Sequence, residues 1–235
     1  MKLIILSITP YKEKDGIVTA LSADSIISFS ARGILNPKSN NHILNNPLIE
    51  IDATFQEGNY KYKVIKNAKI LFSPYSIGDS LNKLGVLSLI QETTKSLVQE
   101  GDEVFIYDKL KSCLEGLKSN KTNVFHIAIN YLYELLRING NELFIDGCVL
   151  CGNRNTIVGM SFADGGFICK DCVEPNFLSD ISLDDLLTFR KTCRNNNFET
   201  TIATLNDENG LYLLRKMVEF VYSAFGIKLK SIKLF

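Results

Sequence analysis

The chain has 235 residues, 46% of them hydrophobic and 22% charged, with 26 Lys+Arg balanced by 26 Asp+Glu. That length suits one large domain or two modest ones, and the composition excludes a disordered chain and any run near the ~20 apolar residues of a membrane span. Zero net charge neither demands nor excludes nucleic acid, but residues 1–78 carry nine basic groups against six acidic ones and are net positive, leaving the rest net negative.

Met1-Lys2-Leu3-Ile4-Ile5-Leu6 runs into Ser7 and Thr9 without a signal-peptide pattern, so a reducing cytoplasm is the expected location. Residues 2–9, 16–21 and 25–31 read as short strands separated by turns. A fourth strand alternates strictly, with Ile49, Ile51, Ala53 and Phe55 on one face and Glu50, Asp52 and Thr54 on the other. Glu57-Gly58-Asn59 then turns the chain into Tyr60-Lys61-Tyr62-Lys63-Val64, a hairpin return. About five short strands with no helix among them indicate a small barrel, either of the oligonucleotide-binding (OB) type or SH3-like. The polar loop of residues 32–41, with Arg32, Gly33, Pro37 and Lys38, is expected to lie outside the core, where a nucleic-acid backbone could track.

At residue 78 the hydrophobic period changes from 2 to 3.6, which divides the chain into a domain over 1–78 and a helical domain over 79–235. Asp79 or Ser80 caps a helix to about residue 99, with Leu81, Leu84, Leu87, Ile90 and Leu97 on its apolar side. Gly101-Asp102 ends it and opens a second helix through Val104, Tyr107, Leu110, Leu114 and Leu117. A third, residues 124–137, is apolar almost all round and reads as the centre of a bundle, with His126 a packed core residue. Ser182 with Asp184 and Asp185 opens a fourth helix. A fifth begins near Asn209 and stops at Gly226, and the alternating tail 227–235 reads as an extended strand or arm.

Between these helices stand Cys148-Val149-Leu150-Cys151 and Cys169-Lys170-Asp171-Cys172. Two C-x-x-C knuckles at this spacing supply four thiolates to one tetrahedral zinc ion, and residues 156–168 form a β-hairpin around Asp164-Gly165 that returns the second knuckle to the first. The zinc-binding hairpin spans 146–174. Four sulfur ligands leave no open position for water, so the zinc is structural; disulfides are disfavoured in a reducing compartment. Cys113 and Cys193 lie in apolar helical patterns and read as buried thiols.

Nothing in the chain matches a nucleophile elbow, a Walker loop, a dinucleotide fingerprint or an H-E-x-x-H motif, so an enzyme is not expected. Binding has better support. Lys12, Lys14, Arg32, Lys38, Lys61 and Lys63 could line a phosphate-tracking surface on the barrel, with Tyr11, Tyr60 and Tyr62 as stacking faces. The Tyr/Lys alternation also suits an ordinary exposed strand, and a zinc-stabilised protein-interaction adaptor without DNA affinity is the alternative.

Ordered pieces along the whole chain resemble the RecO family of recombination mediators. They are residues 11–19 (YKEKDGIVT), 31–39 (ARGILNPKS), 135–140 (LLRING), 146–152 (DGCVLCG), 165–172 (GGFICKDC) and the closing Leu229-Lys230-Ser231. The resemblance implies an α+β fold: an N-terminal OB-fold β-barrel followed by an α-helical domain with an inserted four-cysteine zinc ribbon. It also implies DNA repair and recombination by binding and annealing single-stranded DNA, contact with double-stranded DNA, and two partners, RecR and the acidic C-terminal tail of single-strand-binding protein. Ile232 stands where the family commonly has Arg.

Overall fold

Five strands close into a barrel: β1 (Lys2–Tyr11), β2 (Asp15–Leu21), β3 (Ile26–Ala31), β4 (Glu50–Phe55) and β5 (Lys63–Phe72), hydrogen-bonded in the order β1-β2-β3-β5-β4 with β4 returning to β1. Every pairing is antiparallel except β3 with β5. This is an OB-like closure, which decides between the two barrel types. The inward side chains alternate as a pleated strand requires, and Leu3, Ile5, Val18, Ala20, Phe29, Ile51 and Ile65 fill the interior. The computed structural model describes residues 1–57, 62–119, 121–175, 181–195, 198 and 205–235.

Two expectations for this half need correction. The fifth strand is not a short Tyr/Lys return but a ten-residue strand running on to Phe72. Lys66, Asn67 and Lys69 are exposed on it, and their polarity hid a strand whose pairing with β4 is irregular at Thr54/Phe55. Nor is the loop after β3 free of core residues. Ile34 is fully buried in the barrel interior, and the short 3-10 turn Asn40–Leu44, capped by the Ser39 side chain, delivers Leu44 there as well.

Among the described residues five helices follow: α1 (Leu81–Leu97), α2 (Glu103–Ser119), α3 (Val124–Ile138), α4 (Leu183–Cys193) and α5 (Asp207–Phe225). By proximity the chain forms two units, Met1–Asp79 with Thr94–Lys118, and Ser80–Thr93 with Ser119–Phe235. In the first, Glu50 is buried although it lies on the outward face of β4. Its Oε1 accepts from Tyr107 Oη at 3.0 Å and Lys111 Nζ at 3.0 Å, both on α2. A buried carboxylate must be paired, so this contact fixes α2 against the strand. Removal from water and the Glu50 charge together push the Tyr107 phenol well above its ordinary range.

In the second unit α3 is buried on nearly every side, as its sequence implies. The polar side chains it carries inward hold specific neighbours, although the buried Asn130 Oδ1 has no hydrogen-bond partner among the described residues. His126 Nε2 accepts from the Leu205 N–H at 2.9 Å, which leaves the ring proton on Nδ1, 3.3 Å from Thr192 Oγ1. Asn130 Nδ2 donates to the carbonyls of Thr192 and Asn195, 2.8 Å each, at the C-terminal end of α4. Ser182 caps α4 as expected, Asn206 caps α5, and Gly226 ends α5 with φ +69°.

The apolar side of α1 is the expected one at Leu87, Ile90 and Leu97, all buried, but not in its first turn. Leu81 and Leu84 are exposed, while Val86, Leu87, Leu89 and Ile90 are buried. Gly85 faces the Phe235 ring, where a Cβ would stand 2.6 Å from ring carbon. Val104 of α2 is likewise exposed. The tail is not a strand. Glu92 accepts the N–H groups of Lys230 and Ser231 at 2.9 and 2.8 Å and the Ser231 hydroxyl at 2.6 Å, starting a 3-10 turn over Ser231–Leu234.

Burial holds His126 down at about 4 from an ordinary 6.5. The unfolded chain takes up a proton below pH 6.5 that the folded chain refuses until about pH 4, so stability is full above pH 6.5 and falls as pH drops through this window. The expected loss at pH 4 is of the order of 3 kcal/mol. Urea unfolding from pH 7 to 4 should show this slope in the wild type and a shallower one in His126→Gln; equal slopes would contradict the assignment.

Candidate metal centre and nucleic-acid surface

Three strands, β6 (Phe144–Cys148), β7 (Ile157–Ser161) and β8 (Gly166–Cys169), form a small sheet in the order β6-β8-β7. β7 and β8 are the hairpin expected from the sequence, turning at Gly165 with φ +80°. β6 is an addition: it runs parallel to β8, with the Val149 N–H donating to Phe167 O at 2.7 Å. Gly166 permits this approach, since a Cβ there would collide with the Phe144 carbonyl. The first knuckle leaves β6 and folds back through Gly152, whose φ is +76° and whose N–H donates to Cys148 O at 2.8 Å. The second follows β8 directly.

The sulfurs of Cys148, Cys151, Cys169 and Cys172 all lie within 4.8 Å of one another, and Cys151 Sγ is 3.6 Å from Cys169 Sγ. Tetrahedral ligation at ~2.3 Å per sulfur requires S···S separations of about 3.8 Å, so the four thiols fit a single metal ion. Cys148 and Cys169 are buried, Cys172 is partly exposed and Cys151 is exposed. Burial opposes ionisation of Cys148, but the N–H groups of Cys169, Cys151 and Leu150 outweigh it and bring the thiol down to about 6. Cys172 is pushed up to about 12 by its contacts with the Cys151 and Cys169 sulfurs. One anionic sulfur thus hinders ionisation of its neighbour, a repulsion that a bound cation relieves. Neither histidine is in this set.

Just before the knuckle, Asp146 accepts from Arg190 NH2 at 2.7 Å and Arg194 NH2 at 2.7 Å, the first on α4 and the second its C-cap residue. These arginines hold its carboxyl below the ordinary range, the Arg190 hydrogen bond most of all. Arg194 also reaches Glu142 at 3.3 Å, and Glu142 accepts from the Tyr133 hydroxyl on α3. Beside this network lies a cleft of about 390 Å³ lined by Ile145, Ile157, Phe167, Leu183, Leu186 and Arg154. The sequence analysis missed both features. The arginines four residues apart on one helix face were the visible signal, but their acidic partner lies 44 and 48 residues away.

Five of the six basic residues proposed from the sequence fall in three places. Lys12 and Lys14 stand in the β1–β2 turn, and Arg32 and Lys38 in the segment after β3; all four are exposed. These two segments lie side by side. Asp15 Oδ1 accepts the Gly33 N–H at 2.8 Å, and the Leu35 N–H donates to Lys14 O at 3.0 Å. Lys63 is exposed at the start of β5, in register with Phe29 near the end of β3. Lys61, with Tyr60, lies outside the described residues. Tyr11 is half exposed, with Lys12 Nζ 5.3 Å from its ring centroid. Lys12 itself has φ +57°, a left-handed conformation uncommon for a side-chain-bearing residue. Gly33 in the facing segment is also left-handed, at φ +68°.

Fold and site together define an OB-like barrel protein whose second unit carries a four-thiol ribbon. The family described as "Recombination protein O C terminal" matches residues 78–223. The chain is 28% identical over 178 residues to DNA repair protein RecO of Caldanaerobacter subterraneus subsp. tengcongensis, covering 73% of this chain and 70% of the relative. It is 26% identical over 171 residues to DNA repair protein RecO of Syntrophomonas wolfei (72% and 68%), and 23% identical over 184 residues to that of Halalkalibacterium halodurans (73% and 67%). The chain belongs to the RecO family.

Cys148→Ser removes a fully buried member of the four-thiol set. Atomic emission should find one metal ion per wild-type chain and none in the variant, and thermal melting should show the variant several degrees less stable, since metal binding and folding of so small a sheet are linked. A variant that keeps its metal would contradict the assignment.

Proposed function

We propose that this chain is a DNA repair and recombination protein that binds single-stranded DNA on the barrel loops, with a structural zinc ion in the ribbon. The observation that carries the reading is the side-by-side placement of the loops bearing Lys12, Lys14, Arg32 and Lys38 on an OB-like barrel of a RecO-family chain. Phosphates tracking across both loops would meet four cations, Lys63 extends the set, and Tyr11 offers a base-stacking face. Annealing follows from the same chemistry, because neutralising phosphates on two strands removes the repulsion that opposes their pairing. The role is that of a binder and not of a bond-breaking enzyme. Contact with double-stranded DNA, with RecR and with the acidic tail of single-strand-binding protein belongs to this proposal on the strength of the family resemblance.

Zinc is the metal proposed because four thiolates in tetrahedral reach suit a soft, redox-inert ion that needs no further ligand. Bound there, it would supply charge neutralisation and a cross-link between the knuckles, while the chain's own groups set the geometry: N–H groups around Cys148, and the Asp146 link to α4.

Fluorescence anisotropy with a labelled single-stranded oligonucleotide tests the DNA reading. Four phosphate contacts predict a loss of about fiftyfold in affinity between 50 and 200 mM salt. The combined variant Lys12→Asn, Lys14→Gln, Arg32→Gln, Lys38→Gln should bind at least about tenfold more weakly at low salt. Asn is chosen at position 12 because it tolerates the left-handed backbone. Wild-type affinity in this variant would place the site elsewhere, and a wild type without DNA affinity that still captures single-strand-binding protein would favour an adaptor.

A further inference from the structure

The four thiols are not equivalent, and their differences give the cluster a direction of attack. Cys148 and Cys169 have no exposed surface, and the backbone bonds Gly152 N–H to Cys148 O and Cys148 N–H to Asn153 O wrap the first of them. Cys172 is only partly open, whereas Cys151 is exposed at the outer edge of the knuckle between Leu150, 57% exposed, and Gly152. The most exposed of the four residues also has its sulfur 3.6 Å from the buried Cys169 sulfur, so a disulfide of ~2.05 Å needs an approach of only about 1.5 Å.

We propose that the ribbon is an oxidant-sensitive element in which Cys151 is the site of attack by hydroperoxides and Cys169 is the resolving thiol. The proposal rests on the zinc reading above. The Cys151 sulfur attacks one peroxide oxygen and the O–O bond breaks. With hydrogen peroxide the leaving oxygen takes a solvent proton and departs as water, and Cys151 becomes a sulfenic acid. The Cys169 sulfur then displaces that hydroxyl as a second water and forms the S–S bond. The two metal-bound thiolates supply two electrons, solvent supplies the two protons, and one hydrogen peroxide accepts them. Two of the four donors are thereby consumed, and the remaining pair cannot close a tetrahedral site. Oxidation therefore releases the metal and frees β6, whose Asp146 ties the ribbon to Arg190 and Arg194. Cys113 and Cys193 are buried and serve as internal controls.

The test uses zinc-loaded full-length chain treated with hydrogen peroxide, with zinc release followed by a chromogenic chelator and the products mapped by mass spectrometry of peptides. Cys151→His keeps a nitrogen ligand and removes the exposed sulfur, and Cys172→His does the same at the other knuckle. Expected are stoichiometric zinc release from the wild type with a Cys151–Cys169 disulfide, release at least about fivefold slower from Cys151→His, and a near wild-type rate from Cys172→His. Equal rates in wild type and Cys151→His, or a disulfide that omits Cys151, would overturn the proposal. A wild type that binds no zinc would overturn the zinc reading beneath it, and the metal content measured before oxidation separates that failure from the other two.

Discussion

A helix buried on almost every side must have each of its polar side chains satisfied from within, and that requirement organises the second unit. α3 answers it at three positions, with the buried Asn130 Oδ1 left unpaired among the described residues. His126 holds the Leu205 amide, Asn130 takes the terminal carbonyls of α4, and Tyr133 reaches Glu142. From Glu142 the bonds continue through Arg194 to Asp146, two residues before the first metal-site cysteine. The ribbon is therefore tied to the central helix by a chain of charged and polar contacts, in addition to its own thiols. The exposed members of that chain contribute little each, and its geometry matters more than its energy.

The first unit solves a different problem. A barrel only five strands around has a small interior, and it is completed by borrowing Ile34 and Leu44 from the segment after β3. The borrowing explains why that segment is ordered where its polar composition suggests a loose loop. With Ile34 anchored inward and Gly33 bonded to Asp15, the segment lies against the β1–β2 turn and presents Arg32 and Lys38 beside Lys12 and Lys14. Residues 31–39 thus have two roles, one in core closure and one in presenting charge. Glu50, buried and answered by Tyr107 and Lys111, brings α2 into the same unit.

Much of this was legible in the sequence, and the exceptions share a cause. Strict alternation over 49–55 gave the fourth strand, the apolar run over 124–137 gave the buried helix, and the two C-x-x-C pairs gave the metal ligands, because each signal is local. What escaped depends on partners far along the chain. β6 is five residues with Asp146 and Gly147 in the middle, and it becomes a strand only beside β8. The tail alternates like a strand, but Glu92, 138 and 139 residues away, turns its Lys230 and Ser231 amides into a capped turn. The apolar face of α1 was read one turn too long because Leu81 and Leu84 share the spacing of the buried Leu87, Ile90 and Leu97 without being buried, and Gly85 marks a contact with Phe235 that no period reveals.

The proposed function implies a division of labour, in which the thiol cluster would hold the ribbon in shape while nucleic acid would meet the barrel loops. Hydrogen–deuterium exchange of the zinc-loaded chain, with and without a single-stranded oligonucleotide, tests it most directly by reporting protection segment by segment. The account predicts added protection over residues 11–16 and 32–39 and unchanged exchange over 144–172. Protection confined to 144–172, with the barrel loops unaffected, would contradict it.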